Sequence, residues 1–290
     1  MSAVTTTISP AFERMQRILF EPFKLGNWFA LGFSAFLASL AGGFNFNLPT
    51  NFNSNNDLPS EAGNWMHEHM AAVILIGAVL VVIVLAVGIL CVWLGSRGRF
   101  MFLDNLVHDR YAVKEPWHRF REPANRLFGF TLATGFVAAL FIGVVAALGV
   151  GAAFLIKPHF DTMSMWSAVL LITALVMLGA GLLLSVIAVL AVLHDLVPPI
   201  MYFKGFGPVD ASRYLWTDLL RGRGWLFTKF YLMKGVLGLA GVTVVMMAGC
   251  LTCCFGFLPY LSSVLSLPVS VFLMHYTLEF LGQVDGTLRV

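Results

Sequence analysis

The chain has 290 residues, of which 59% are hydrophobic and only 11% charged, and its mean hydropathy is +0.84. A soluble domain carries about a quarter charged residues, so the composition excludes an ordinary soluble domain and points to lipid. The net charge of +3 argues against a bulk electrostatic partner such as duplex DNA, and no nucleic acid is expected.

The N-terminal arm places Glu13, Arg14, Arg17, Glu21 and Lys24 where a cleavable signal peptide needs an uninterrupted apolar run. The first membrane segment is therefore expected to act as the insertion signal. Ahead of it, Ser9 can cap a helix with Pro10 at its first position. Phe12, Met15, Ile18 and Leu19 then share a face, with Glu13, Arg14, Gln16 and Arg17 directed away. Such a segment suits the headgroup plane of a membrane.

A helix needs about 20 apolar residues to cross the hydrocarbon core. Six stretches qualify, at residues 26–43, 70–94, 127–156, 167–193, 230–255 and 261–281. The expected fold is all-α, a polytopic membrane bundle of six transmembrane helices forming a single domain over 1–290. Lys and Arg set its orientation. The N-terminal arm holds three, the 95–126 loop seven, the 194–229 loop five and the C-terminal tail one. The opposite loops hold only Lys157, and Lys234 lies inside the fifth span. Both termini are thus expected in the cytoplasm. Trp28, Trp93, Trp117, Trp216 and Trp225 fall at the inner ends of spans, and Trp65 and Trp166 at the outer ends, as interfacial tryptophan should.

The first outer loop, 44–69, is Asn-rich, with six Asn in 44–56 and no Asn-x-Ser/Thr acceptor; it suggests an irregular, solvated connector. Later in the chain the pattern returns. Trp28-Phe29, Leu127-Phe128 and Leu226-Phe227 are spaced by 99 residues, and Leu103-Asp104, His194-Asp195 and Val284-Asp285 by 91 and 90. The spacing suggests three hairpin units, about 8–105, 106–196 and 197–290. The third opens on another amphipathic stretch, with Asp210 as cap, Ala211, Leu215, Trp216, Leu219 and Leu220 apolar, and Arg213, Asp218 and Arg221 polar. Pro198-Pro199 should break or kink the helix just after Asp195.

Ionisable groups inside a membrane are costly and often functional. His275 is the deepest of them, and Glu279 shares its helix face four residues on. They are candidates for a pathway, although an interhelical hydrogen bond and an interfacial carboxylate account for them more simply. Asp104, Asp195 and Asp285 form a second set at the ends of the even spans. They could converge on a pseudo-threefold axis and pair with Arg97, Arg99 or Arg110, in a structural role. Arg14, Arg17, Arg119, Arg121, Arg213 and Arg221 are the candidates for lipid headgroups.

Cys250, Cys253 and Cys254 resemble a CxxC motif but have no accompanying ligands, and His67, Glu68 and His69 make at best a weak metal site. No cofactor and no metal is expected. Small residues recur every fourth position, at Thr131, Gly135, Ala139, Gly143, Ala147 and Gly151, and at Ala30, Ser34, Ala38 and Gly42. Such ridges allow close helix packing. No nucleophile elbow, phosphate loop, zincin helix or dinucleotide fingerprint is present, so no enzymatic activity is expected.

The words "RMQRILFEPFKLGNWFALGF", "SRGRFMFLDNLV", "PWHRFREPANRLFGF" and "HDLVPPIMY" resemble those of a group of bacterial six-helix membrane proteins of unknown function. That group is similar to the membrane domain fused to some glycerophosphodiester phosphodiesterases. The resemblance implies the inner membrane of a bacterium and carries no active-site residue, since the soluble catalytic domain is missing. The sequence thus favours a non-enzymatic module that organises lipids or partner proteins, self-association included. A transporter or channel for a small or lipid-like substrate is the alternative, and a lipid-modifying enzyme the third.

Overall fold

The computed structural model describes residues 3–21, 23–40, 69–156, 165–251 and 259–288. All regular structure among them is helical. The chain begins with α1 (Ala3–Thr6), α2 (Ile8–Phe20) and α3 (Leu25–Leu40). Next come α4 (Met70–Val107), α5 (Lys114–Arg119), α6 (Arg121–Ile156) and α7 (Met165–Lys204). The last third holds α8 (Pro208–Tyr214), which runs into a π-helical turn at Leu215–Leu220, then α9 (Gly224–Leu251), α10 (Pro259–Leu265) and α11 (Leu267–Val284).

Four helices, α4, α6, α7 and α9, are long and apolar enough to cross a membrane. The two remaining expected spans have a different form. Helix α3 has 16 residues, about 24 Å at 1.5 Å per residue. The sixth is divided at Ser266 into α10 and α11. Pro268 stands at the start of α11 and has no N–H to give to the preceding turn, so the helix is interrupted there.

The long helices also extend past the expected span ends. Helix α4 continues to Val107 and α7 to Lys204, through segments whose charged residues suggest loops in the sequence. In α4 this extension, Gly95 to Leu106, is the buried part, with Arg99 half-buried. Likewise α7 is buried around Leu196, Val197 and Ile200, α9 at Phe227 and Phe230, and α11 at Tyr276, Phe280 and Leu281. Phe230 stacks on Phe280 at 4.0 Å and on Tyr276 at 5.2 Å between centroids. By contrast Ile74 to Leu90 of α4, Phe136 to Phe154 of α6, Val169 to Val189 of α7 and Val236 to Met247 of α9 expose large apolar side chains. One end of the molecule is a packed core, and four apolar helices project from it. Water could not wet such surfaces stably, and lipid is their natural solvent.

The amphipathic stretches cover this core. Ala11, Met15, Ile18 and Leu19 of α2 are buried, the last three packed with Leu31, Phe102, Leu267 and Val271, whereas Phe12 is half exposed. The apolar face expected on lipid thus lies on protein, against α11. Trp28 fixes the junction, its Nε1 donating to the Leu19 carbonyl at 2.8 Å. Neither expected cap is used. Helix α2 starts at Ile8 after Thr7, and α8 starts at Pro208 after Gly207, which leaves Asp210 within its first turn. Pro208 takes the first-turn position where a missing N–H costs nothing.

Small residues permit close approach at places other than the expected ridge. A Cβ on Gly98 would lie 2.4 Å from the Ala38 backbone nitrogen, and one on Gly241 would lie 2.4 Å from Val269 Cγ1. Ala38 and Ser34 of the α3 ridge are thus packed, Ser34 completely buried. Along α6, Gly135, Gly143 and Gly151 face open space. The close packing expected of that ridge is not made within the described chain.

Candidate functional site

Helix α7 carries His194 and Asp195 one turn before Pro198-Pro199. The helix continues to Lys204, so the expected break does not occur. The two prolines nonetheless lack the N–H groups that would reach the carbonyls of His194 and Asp195, which loosens the backbone at these two polar residues. Both line a cavity of about 280 Å³ between α3, α4, α7 and α11, together with Arg99 and the apolar side chains of Ala38, Phe102 and Met274.

Arg99 Nη1 lies 3.2 Å from His194 Nδ1. A guanidinium only donates, so Nδ1 is the acceptor and the ring proton sits on Nε2. Asp195 accepts two hydrogen bonds from Lys234 Nζ, at 2.7 and 2.6 Å, and one from the Tyr231 hydroxyl at 3.3 Å. Lys234 also donates to Thr277 Oγ1 at 2.8 Å. The cluster joins α4, α7, α9 and α11. Its carboxylate is occupied by a cation and a phenol, which suits it to holding the helices and to binding a polar group, and not to removing a proton.

Asp104 and Asp285 lie in separate networks. Asp104, 3% exposed, accepts from the Tyr202 hydroxyl at 2.8 Å, and His108 Nδ1 lies 3.3 Å from the same oxygen. Asp285 accepts from Tyr214, from the Thr287 N–H at 3.0 Å and from the Thr287 hydroxyl at 2.8 Å. Lys204 Nζ is 3.1 Å away. Burial would raise the Asp285 carboxyl, but the hydrogen bonds from Tyr214, Thr287 and Lys204 outweigh it and hold the group well below the usual carboxylate range. Burial, and next the bond to Asp285, push the Tyr214 phenol up.

The three aspartates thus make no common axial cluster, and their expected ion pairs with arginine are absent among the described residues. Arg97 lies against the rings of Trp93 and Trp117, Arg99 meets His194, and Arg110 reaches Glu115 at 3.5 Å. Each aspartate instead accepts from a tyrosine, a partner the sequence reasoning missed.

His275 is 1% exposed, and neither ring nitrogen has a hydrogen-bond partner among the described residues. The interhelical hydrogen bond expected of it is therefore not formed there. Glu279 does pair across helices, with Arg14 Nε at 3.2 Å. Arg14, Arg17, Glu13 and Glu279 line a polar groove between α2 and α11. Arg17, Arg119, Arg121, Arg213 and Arg221 are exposed, and Arg14 is half-buried. Cys250 is exposed, while Cys253, Cys254, His67, Glu68 and the outer loop up to residue 68 lie outside the described residues. Among the described residues no three His, Cys, Asp or Glu side chains gather as a metal site would need.

Four long apolar helices on a packed polar end define an all-α protein of membrane type. The chain belongs to a family of unknown function, DUF7544, whose profile matches residues 1–260. No curated protein and no solved structure matches it.

Proposed function

We propose that the chain is a six-span protein of the bacterial inner membrane with both termini in the cytoplasm, and a non-enzymatic module that organises lipids or partner proteins. The observation that carries this reading is the contrast between the two ends of the molecule. Four helices expose apolar side chains over most of their length, and the packed end carries exposed Arg119, Arg121, Arg213 and Arg221 beside exposed Trp216 and Trp225. Arginine on phosphate and tryptophan at headgroup level are the groups an interfacial rim needs.

Chain connectivity supports six crossings. Leu40, at the end of α3, packs in a cluster with Cys91 and Leu94, whereas α4 begins at Met70, more than 20 residues further up that helix. At the other end, α11 returns from beyond Leu251 to pack on α2. The test is lipid retention in native nanodiscs. Anionic phospholipid should be enriched over the bulk membrane, and joint Arg119→Gln, Arg121→Gln, Arg213→Gln and Arg221→Gln substitution should abolish the enrichment. Equal composition in both samples would defeat the reading.

The cavity at Arg99, His194 and Asp195 favours a second reading, a pathway for a small or lipid-like solute. Liposome flux in wild type, reduced by Asp195→Asn and by His275→Ala, would support transport; absence of flux in wild type would oppose it.

A further inference from the structure

Among the described residues Arg97 is the one Lys or Arg that is buried. Its residue exposure is 8%, yet it forms no ion pair with a carboxylate among the described residues. Lys204, Lys234 and Arg14, all less buried, each have one. The nearest acid in sequence to its neighbour Arg121, Glu122, is taken by Arg126 at 2.6 Å.

The guanidinium is instead held by rings. Its carbon lies 4.3 Å from the Trp93 centroid and 4.9 Å from that of Trp117, and the two indoles meet edge to face at 88°. Cation–π contact with the two rings leaves the N–H donors of the guanidinium to be filled. Of those donors, Nη2 reaches Asn125 Oδ1 at a long 3.5 Å, and Nε is buried with no hydrogen-bond partner among the described residues. Arg121, exposed at the first turn of α6, adds a second positive charge beside it. A buried cation is unfavourable unless it is paired, and cation–π contacts alone supply no counter-charge.

We propose that Arg97 and Arg121, framed by Trp93, Trp117 and Asn125, bind a phosphate monoanion, and that its source is the phosphodiester of an anionic phospholipid. A phosphate oxygen suits the N–H donors of a guanidinium already held by two rings. Two tryptophans place the site at headgroup depth. The lipid source rests on the membrane reading above, whereas the anion chemistry stands on these five side chains.

The experiment is native mass spectrometry of the detergent-purified full chain, titrated with dioctanoyl phosphatidylglycerol, dioctanoyl phosphatidylcholine or inorganic phosphate. The wild type should bind phosphatidylglycerol more tightly than phosphatidylcholine. Arg97→Gln and Arg121→Gln should each weaken phosphatidylglycerol about tenfold or more, with phosphatidylcholine unchanged. Arg97→Lys, which keeps charge and loses the flat donor edge, should fall between. Full displacement of the lipid by millimolar phosphate would keep the anion site and overturn its assignment to lipid. Arg121 is exposed, so its variant should fold even if the Arg97 variants do not, and unchanged phosphatidylglycerol affinity in it overturns the site. A wild-type preference for the anionic lipid that survives both substitutions overturns this site and leaves the lipid-organising reading in place. No preference in the wild type defeats both.

Discussion

Lys234 Nζ lies 2.6 Å from Asp195 Oδ2, joining α9 to α7 across 39 positions of sequence at the root of the projecting helices. Thr277 of α11 takes a further hydrogen bond from the same ammonium. Three helices therefore meet on one nitrogen, in surroundings where the two charged side chains are 18% and 25% exposed.

Lys234→Met leaves Asp195 with the Tyr231 hydroxyl and little else, at an expected cost of about 1–3 kcal/mol. The double variant Lys234→Met, Asp195→Asn should recover part of that loss, because no unpaired carboxylate then remains. Thermal unfolding in detergent provides the four values of the cycle. Additive losses, with no coupling above about 0.5 kcal/mol, would reduce the pair to a surface contact.

Two glycines should respond in opposite directions to alanine. At Gly98 the new methyl meets the backbone of Leu37 and Ala38 at 2.4 to 2.5 Å, so α3 must move, at a cost of about 1–3 kcal/mol. At Gly135 the methyl meets nothing within 4 Å, and alanine stabilises a helix over glycine by about 0.5–1 kcal/mol. Melting temperatures of the two variants check this; a marked loss at Gly135 would mean that another molecule packs on α6.

The Asp285 network should make the C-terminal contact acid-sensitive. Its folded carboxyl is held below the usual range by Tyr214, Thr287 and Lys204 against the effect of burial. The stability it contributes is therefore fully present above the unfolded value of about 3.9 and is lost as pH falls toward the folded one. Between pH about 5 and 3 the wild type should lose stability more steeply than Asp285→Asn. Parallel pH curves would show that other acids dominate.

The apolar runs were legible in the sequence because lipid-facing helices need little beyond length and hydropathy. Their continuation was not. "SRGRFMFLDNLV" has the charge of a loop, yet Phe100, Met101, Leu103 and Leu106 are almost fully buried, because α2, α3 and α5 supply partners that no local window contains. Pro268 was equally visible, but a proline signals an interruption only once the surrounding turn is known to be helical. For the site, the sequence found Asp104, Asp195 and Asp285 and misassigned their partners. Arginine was the natural choice by charge, whereas a tyrosine hydroxyl reaches each aspartate, at separations of 98, 36 and 71 residues, and lysines pair with Asp195 and Asp285. Arg97 was read as a partner for an aspartate, because Trp117, which completes its ring contacts, comes from a different helix.

Six crossings with both termini in the cytoplasm is the claim on which the lipid and transport readings both depend. A membrane-impermeant maleimide tests it on whole cells, in a background with Cys91, Cys250, Cys253 and Cys254 changed to alanine. Single cysteines at Ser9, Ser60, Asp109 and Thr287 serve as reporters. Labelling of Ser60→Cys in intact cells, with Ser9→Cys, Asp109→Cys and Thr287→Cys reacting only after permeabilisation, is the predicted result. Labelling of Ser9→Cys or Thr287→Cys in intact cells, or protection of Ser60→Cys, would contradict it.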